Sequence, residues 1–205
     1  VNLPGPTPSR RRAGHGFSML ELLLTAAVIV FLMVLMANHL GVGGHDRVQE
    51  GCLSNLQKMY LALNIYQNDN KGSFPNVPDA SSPSVPLSLL VPKSTTVTEL
   101  FICPGSQNKP LPEGEPFASR KISYAYYMGR TVNDDPGEIL VTDAQVNRDP
   151  KKAGEPLFSA NGEPPGNNHG KAGGNLLSRG GEVSTSGPKA SRSLLITTNV
   201  RLLNP

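Results

Sequence analysis

The chain has 205 residues, room for one ordinary domain and an additional segment. Gly (21) and Pro (19) are abundant for a compact domain but stay short of wholesale disorder, while 5% aromatics and no Trp set a modest core. The formal charge of +3 is carried by Arg10, Arg11 and Arg12, and the rest of the chain is balanced, which argues against a nucleic-acid-binding domain with its usual basic surplus. The first residue is Val rather than Met, pointing to a non-standard start or a start inside a longer reading frame.

From Phe17 to Ala37 only Ser18, Glu21 and Thr25 are polar. As a helix this run spans roughly 30 Å, the thickness of a bilayer core. Its apolar positions run all round the helix, which favours lipid over a soluble amphipathic role. The preceding arginines should stay cytoplasmic, placing everything after Leu40 on the far side of the membrane. A secretory signal peptide would have a shorter apolar core and a small-residue cleavage site, and Met33 to Leu40 offers no such pair. A plain anchor fits the length and charge but leaves Glu21 unexplained, unless it merely snorkels at the cytoplasmic end.

The run Gly16, Phe17, Ser18-Met19-Leu20, Glu21, then an unbroken apolar stretch resembles the N-terminus of type IV prepilins and of the pseudopilins of type II secretion. That resemblance implies a leader over residues 1–16, cut after Gly16 by a prepilin peptidase that also methylates the new amine on Phe17. It implies a transmembrane and assembly helix over 17–40, and filament formation with other subunits on an inner-membrane assembly platform. Glu21 then has an assembly role. A carboxylate and the neighbouring subunit's Phe17 amine, each costly alone in a dry bundle, offset that cost by pairing and fix the axial register.

Residues 41–75 are expected to hold a hinge and an amphipathic helix. Gly41-Val42-Gly43-Gly44 weakens helix by roughly 1 kcal/mol per glycine relative to Ala, and reads equally as a linker or as a hinge. From about Asp46 to Gln67, the residues Cys52, Leu53, Leu56, Met59, Tyr60, Leu63 and Tyr66 recur at helical spacing and share one face. Glu50, Ser54, Gln57 and Lys58 lie opposite, and Asn68-Asp69-Asn70-Lys71-Gly72 supplies the stop. "LALNIYQNDNKGSFP" is similar to the end of the long helix in major pseudopilins, and "CLSNLQKMYLALNIY" to a group of pilin-like proteins from planctomycete-type bacteria.

Cys52 and Cys103 would face an oxidising compartment, so a disulfide is expected, worth roughly 4 kcal/mol by the chain-entropy model, with two buried free thiols as the alternative. A metal site is not expected from the cysteines, which lack a further Cys or His at ligand spacing.

Residues 76–205 read as a β-rich domain with long loops. The loop 76–98 allows one short helix at Leu87–Val91, and strands are expected at Ile122–Met128, Glu138–Thr142, Asn175–Leu177, Glu182–Thr185 and Leu194–Thr198. Pro150–Gly174 reads as a long surface loop or as partly disordered. "NNHGKAGGNLLSRGGEVS" resembles the C-terminal His…Asp-Gly signature of the same pilin-like group, but the Asp position holds Arg179 or Gly180, and a hairpin with a Gly-Gly turn is expected instead. His169, in a Gly/Asn loop, reads as exposed, against a metal or catalytic pairing with Asp143. Asp143, Asn147 and Asp149 form an oxygen-rich run, a calcium candidate without the fixed glycine and terminal Glu of a dedicated loop. No nucleophile motif, phosphate-cradling loop or His-Glu-x-x-His is present, so no enzyme and no other cofactor are expected.

The expected architecture is α+β: one long helix from Phe17 to about Gln67, its second half packed on a small antiparallel sheet. The expected role is a pseudopilin-like subunit built into a type II secretion pseudopilus. The alternatives are a type IV pilin for adhesion or DNA uptake, and a membrane-anchored periplasmic binding module that never polymerises.

Overall fold

The computed structural model describes residues 18–41, 43–109 and 117–205. The expected leader, Gly16 and Phe17 lie outside the described residues, as does position 42 within the glycine run. The chain divides into two units, Val1–Gly43 and Gly44–Pro205.

The first unit contains helix α1, Met19–Gly41. Ser18 opens it: the backbone N–H of Glu21 donates to the Ser18 carbonyl at 3.0 Å and to Ser18 Oγ at 3.2 Å, satisfying a donor that the helix start would otherwise leave unpaired. The window Met19–Met36 is long and apolar enough to cross a membrane, and none of it is buried within the protein.

The second unit, Gly44–Pro205, holds all but the first residue of helix α2, Gly43–Asp69. Helix α1 ends at Gly41 and α2 begins at Gly43, both inside the glycine run read as a linker or a hinge. Cys52, Leu56, Met59 and Leu63 are buried, joined by Ala62, while Tyr60 and Tyr66 are partly buried against the same core. The helix stops as its turn chemistry predicts: Lys71 and Gly72 adopt positive φ of 55° and 82°, and the Gly72 N–H returns to the Gln67 carbonyl at 2.8 Å. The short helix expected at Leu87–Val91 starts earlier: α3 spans Ser84–Leu87 and a 3-10 turn follows at Ser88–Leu90.

The sheet has five strands: β1 Tyr124–Met128, β2 Ile139–Asp143, β3 Gly174–Ser178, β4 Val183–Ser186 and β5 Arg201–Leu203, in the order β4-β3-β2-β1-β5. Every neighbouring pair is antiparallel. Strands β1 to β4 form a meander, and β5 returns to the free edge of β1. Both faces are covered. Tyr124, Tyr126, Met128, Leu177 and Leu203 join the core that includes the α2 side chains, while Ala125, Tyr127, Leu176 and Leu202 turn to a second core with Leu157 and Phe158. This alternation is the period-two geometry of a pleated strand. An irregularity between Ile139 and Val141 breaks it in β2, so Leu140 and Val141 both reach the first core.

The β3–β4 hairpin turns at Gly180-Gly181 as expected. Gly181 has φ +89°, and a Cβ there would lie 2.4 Å from the Tyr60 ring, so turn and helix packing both demand glycine. Leu194–Thr198 is not a strand: Leu194 makes one isolated bridge with Lys151, and the fifth strand is Arg201–Leu203 instead. Pro150–Gly174 is a long loop with a fixed path, burying Leu157 and Phe158 and tied to Pro188 through their two N–H groups at 2.8 and 2.9 Å.

Candidate functional site

Two places carry chemistry. The first is α1. Ser18 to Met36 is exposed throughout, and Glu21 is its single ionisable residue, set in the first helical turn. A carboxylate there faces the positive end of the helix dipole, where negative charge is favoured. Thr25 hides its hydroxyl by donating to the Leu22 carbonyl at 2.9 Å, and the Ser18 hydroxyl accepts from the Glu21 N–H, so both are satisfied locally.

The second is a buried polar cluster that four distant segments assemble. The expected disulfide between Cys52 and Cys103 is formed, with a Cα–Cα distance of 5.2 Å, and it clamps α2 to the segment before β1. Asn55, one turn on, donates to the Ile102 carbonyl at 2.9 Å and holds the same two pieces together. Against this disulfide lies His169, with Nε2 3.5 Å from Cys103 Sγ. The same nitrogen is 3.1 Å from Asp143 Oδ2 and 3.2 Å from Asn175 Nδ2.

Asp143, the last residue of β2, is held on every side. Its Oδ1 accepts from Asn168 Nδ2 at 2.8 Å, and its Oδ2 accepts from the Asn175 backbone N–H at 2.7 Å. Asn168 Nδ2 also donates to the Ser123 carbonyl at 2.7 Å, tying the His169 loop to the start of β1. Asp143 is fully buried, where a carboxylate without such partners would be very costly. Asn175 Oδ1 is buried with no hydrogen-bond partner among the described residues.

The sequence expectations fare differently here. His169 is 6% exposed, not the surface residue its Gly/Asn surroundings suggest, because the loop folds back over the disulfide. The cysteines do have a histidine and a carboxylate beside them, brought from 66 and 40 residues beyond Cys103, a separation that ligand-spacing rules do not search. The side-chain oxygens of the calcium candidates do not share one network. Asp143 serves the buried cluster, Asn147 Oδ1 accepts from the Lys151 ammonium, and Asp149 is exposed. Elsewhere, the Arg130–Glu138 pair at 2.6 Å, with Arg130 also donating to the Leu195 carbonyl at 2.9 Å, braces the loop after β1. No family model matches the chain, and neither a curated protein nor a solved structure is similar to it.

Proposed function

We propose that this protein is a prepilin-type structural subunit, cut after Gly16 and assembled through its N-terminal helix into a type II secretion pseudopilus. The observation that carries the reading is Glu21. It is the one ionisable group in the apolar stretch Met19–Met36, all of which is exposed, and it sits in the first helical turn, next to where processing would create the Phe17 amine. An anchor has no need of that charge at that place. A filament does, because a carboxylate and a neighbour's amine in a dry bundle are stable together and unstable when slipped apart. The α+β architecture, with an amphipathic helix laid on a small antiparallel sheet, supports the same reading, as does the disulfide in a domain expected beyond the inner membrane.

The test has two stages. Intact mass and N-terminal sequencing of the membrane-extracted protein should find a chain beginning at Phe17 with one added methyl group. Glu21→Ala should then abolish filaments while leaving the protein in the membrane. A leader retained in cells that contain the peptidase, or Glu21→Ala filaments indistinguishable from the parent's, would sink the reading and leave a membrane-anchored periplasmic module. Filaments extending outside the cell would identify a displayed pilin instead.

A further inference from the structure

Cys52, Cys103, Asp143 and His169 each offer one ligand atom, all four are buried, and these atoms lie within 4.8 Å of one another. We propose that the reduced protein binds one zinc-class divalent cation through Cys52 Sγ, Cys103 Sγ, Asp143 Oδ2 and His169 Nε2. The disulfide is then the alternative, metal-free state of the same site. This inference stands independently of filament assembly.

The geometry supports it pair by pair. In a tetrahedral zinc site with bonds of about 2.3 Å to sulfur and about 2.0–2.1 Å to nitrogen and oxygen, neighbouring ligands stand about 3.6 Å apart for sulfur and nitrogen and about 3.4 Å for nitrogen and oxygen. Cys103 Sγ and His169 Nε2 are 3.5 Å apart, and His169 Nε2 and Asp143 Oδ2 are 3.1 Å apart. Those two edges need almost no adjustment. The sulfur–sulfur edge must open from a covalent bond to about 3.8 Å, and reduction does that.

The surroundings are those of a ligand set. Asp143 is oriented by Asn168 Nδ2 and by the Asn175 N–H, the kind of outer hydrogen bonding that fixes a ligating carboxylate. His169 Nε2 faces an oxygen, an amide nitrogen and a sulfur at once, although one ring nitrogen has a single proton or a single lone pair to offer. The other end of the same amide, Asn175 Oδ1, is buried with no hydrogen-bond partner among the described residues. The disulfide state thus leaves polar capacity unused at the point where the four atoms converge. A cavity of about 230 Å³, lined by Val48, Gly105, Asn168, His169 and Ala172, reaches His169.

The chemistry balances. A dithiol reductant delivers two electrons and two protons to the Cys52–Cys103 bond and becomes a disulfide itself. The cation then displaces both thiol protons and takes two thiolates, one carboxylate and one neutral imidazole. Thiol–disulfide exchange with an oxidised dithiol reverses both steps and releases the cation.

The experiment titrates cobalt(II) into the full chain in detergent, once oxidised and once reduced with a phosphine. The reduced protein should take up one equivalent, with thiolate-to-cobalt charge-transfer absorption and the intense ligand-field bands of a tetrahedral ion, both abolished by zinc. The oxidised protein should show neither. Asn168→Ala, which leaves all four ligands in place, should weaken binding about 10–100-fold. Asp143→Asn and His169→Gln should weaken it further and change the ligand-field bands. Absence of cobalt binding by the reduced chain, whether it is folded or unfolded, overturns the proposal. So does a charge-transfer band unchanged in both Asp143→Asn and His169→Gln, which would be thiolate chelation alone.

Discussion

Three tyrosines in β1 show how single side chains tune stability. Tyr124, Tyr126 and Tyr127 are almost completely buried. Tyr126 donates its hydroxyl to the Pro75 carbonyl at 2.8 Å, and the Tyr127 oxygen receives Gln145 Nε2 at 2.9 Å. Burial makes the phenolate costly, so all three pKa values rise. Tyr127 is pushed up to about 12, and Tyr124 is driven further by burial and then by the Asp143 carboxylate. A raised folded-state value means that the native state keeps protons the unfolded state loses. The stabilisation is therefore fully present below the ordinary phenol pKa of 10.0 and is lost as pH rises through the folded values, with Tyr127 alone contributing on the order of 2–3 kcal/mol. Far-UV circular dichroism and tyrosinate absorbance, followed together from neutral pH upward, should change in step above about pH 10, and Tyr127→Phe should move the transition to higher pH. Full tyrosinate formation while the dichroism stays native would show that these rings titrate freely and are not buried in this way.

At the scale of elements, α2 is the lever between sequence and packing. Its buried and exposed faces lie two residues apart in sequence: Met59 is fully buried, whereas Leu61 is 62% exposed. Met59→Ala should therefore cost about 2–5 kcal/mol through lost burial and a cavity. Leu61→Ala should stay within about 0.5 kcal/mol, since no partner is removed. Denaturant midpoints at constant slope separate the two, and equal losses would mean that α2 is seated on a different face. This face was legible because a helix repeats its contacts every three or four residues. Strands β1 to β4 were legible for a similar local reason, as short apolar or β-branched runs bounded by Gly, Pro and Asn. The fifth strand was not. Leu194-Leu195-Ile196-Thr197 has the stronger strand composition, yet Leu195 is 57% exposed and the segment's pairing is one isolated bridge, Leu194 to Lys151. Arg201–Leu203 wins the edge of β1 because Leu202 and Leu203 fill the two opposite cores, a property of the assembled sheet and not of three residues in isolation.

Across the whole molecule, local patterns run out sooner. The disulfide was readable from topology and compartment, but the His169–Asp143 cluster beside it was not, because helix, strand end and two loops meet there only once the sheet has closed. The division at Gly43 is the opposite case, written in composition. Every buried apolar side chain among the described residues lies at Cys52 or beyond, while α1 exposes its apolar residues from Met19 to Met36 without burying one. The unit Gly44–Pro205 thus has both cores, all five strands and the disulfide within itself, which is what independent folding requires. A chain beginning at Gly44 should remain in the aqueous phase of a detergent phase separation, and should melt in one cooperative transition at a temperature close to that of the same domain in the full chain. The full chain should partition into the detergent phase, because an unburied apolar helix of this length is more stable in hydrocarbon than in water. If the shortened chain aggregates or melts gradually, α2 draws its stability from residues before Gly44, and the apolar helix is then a structural part of the domain as well as its route into a membrane.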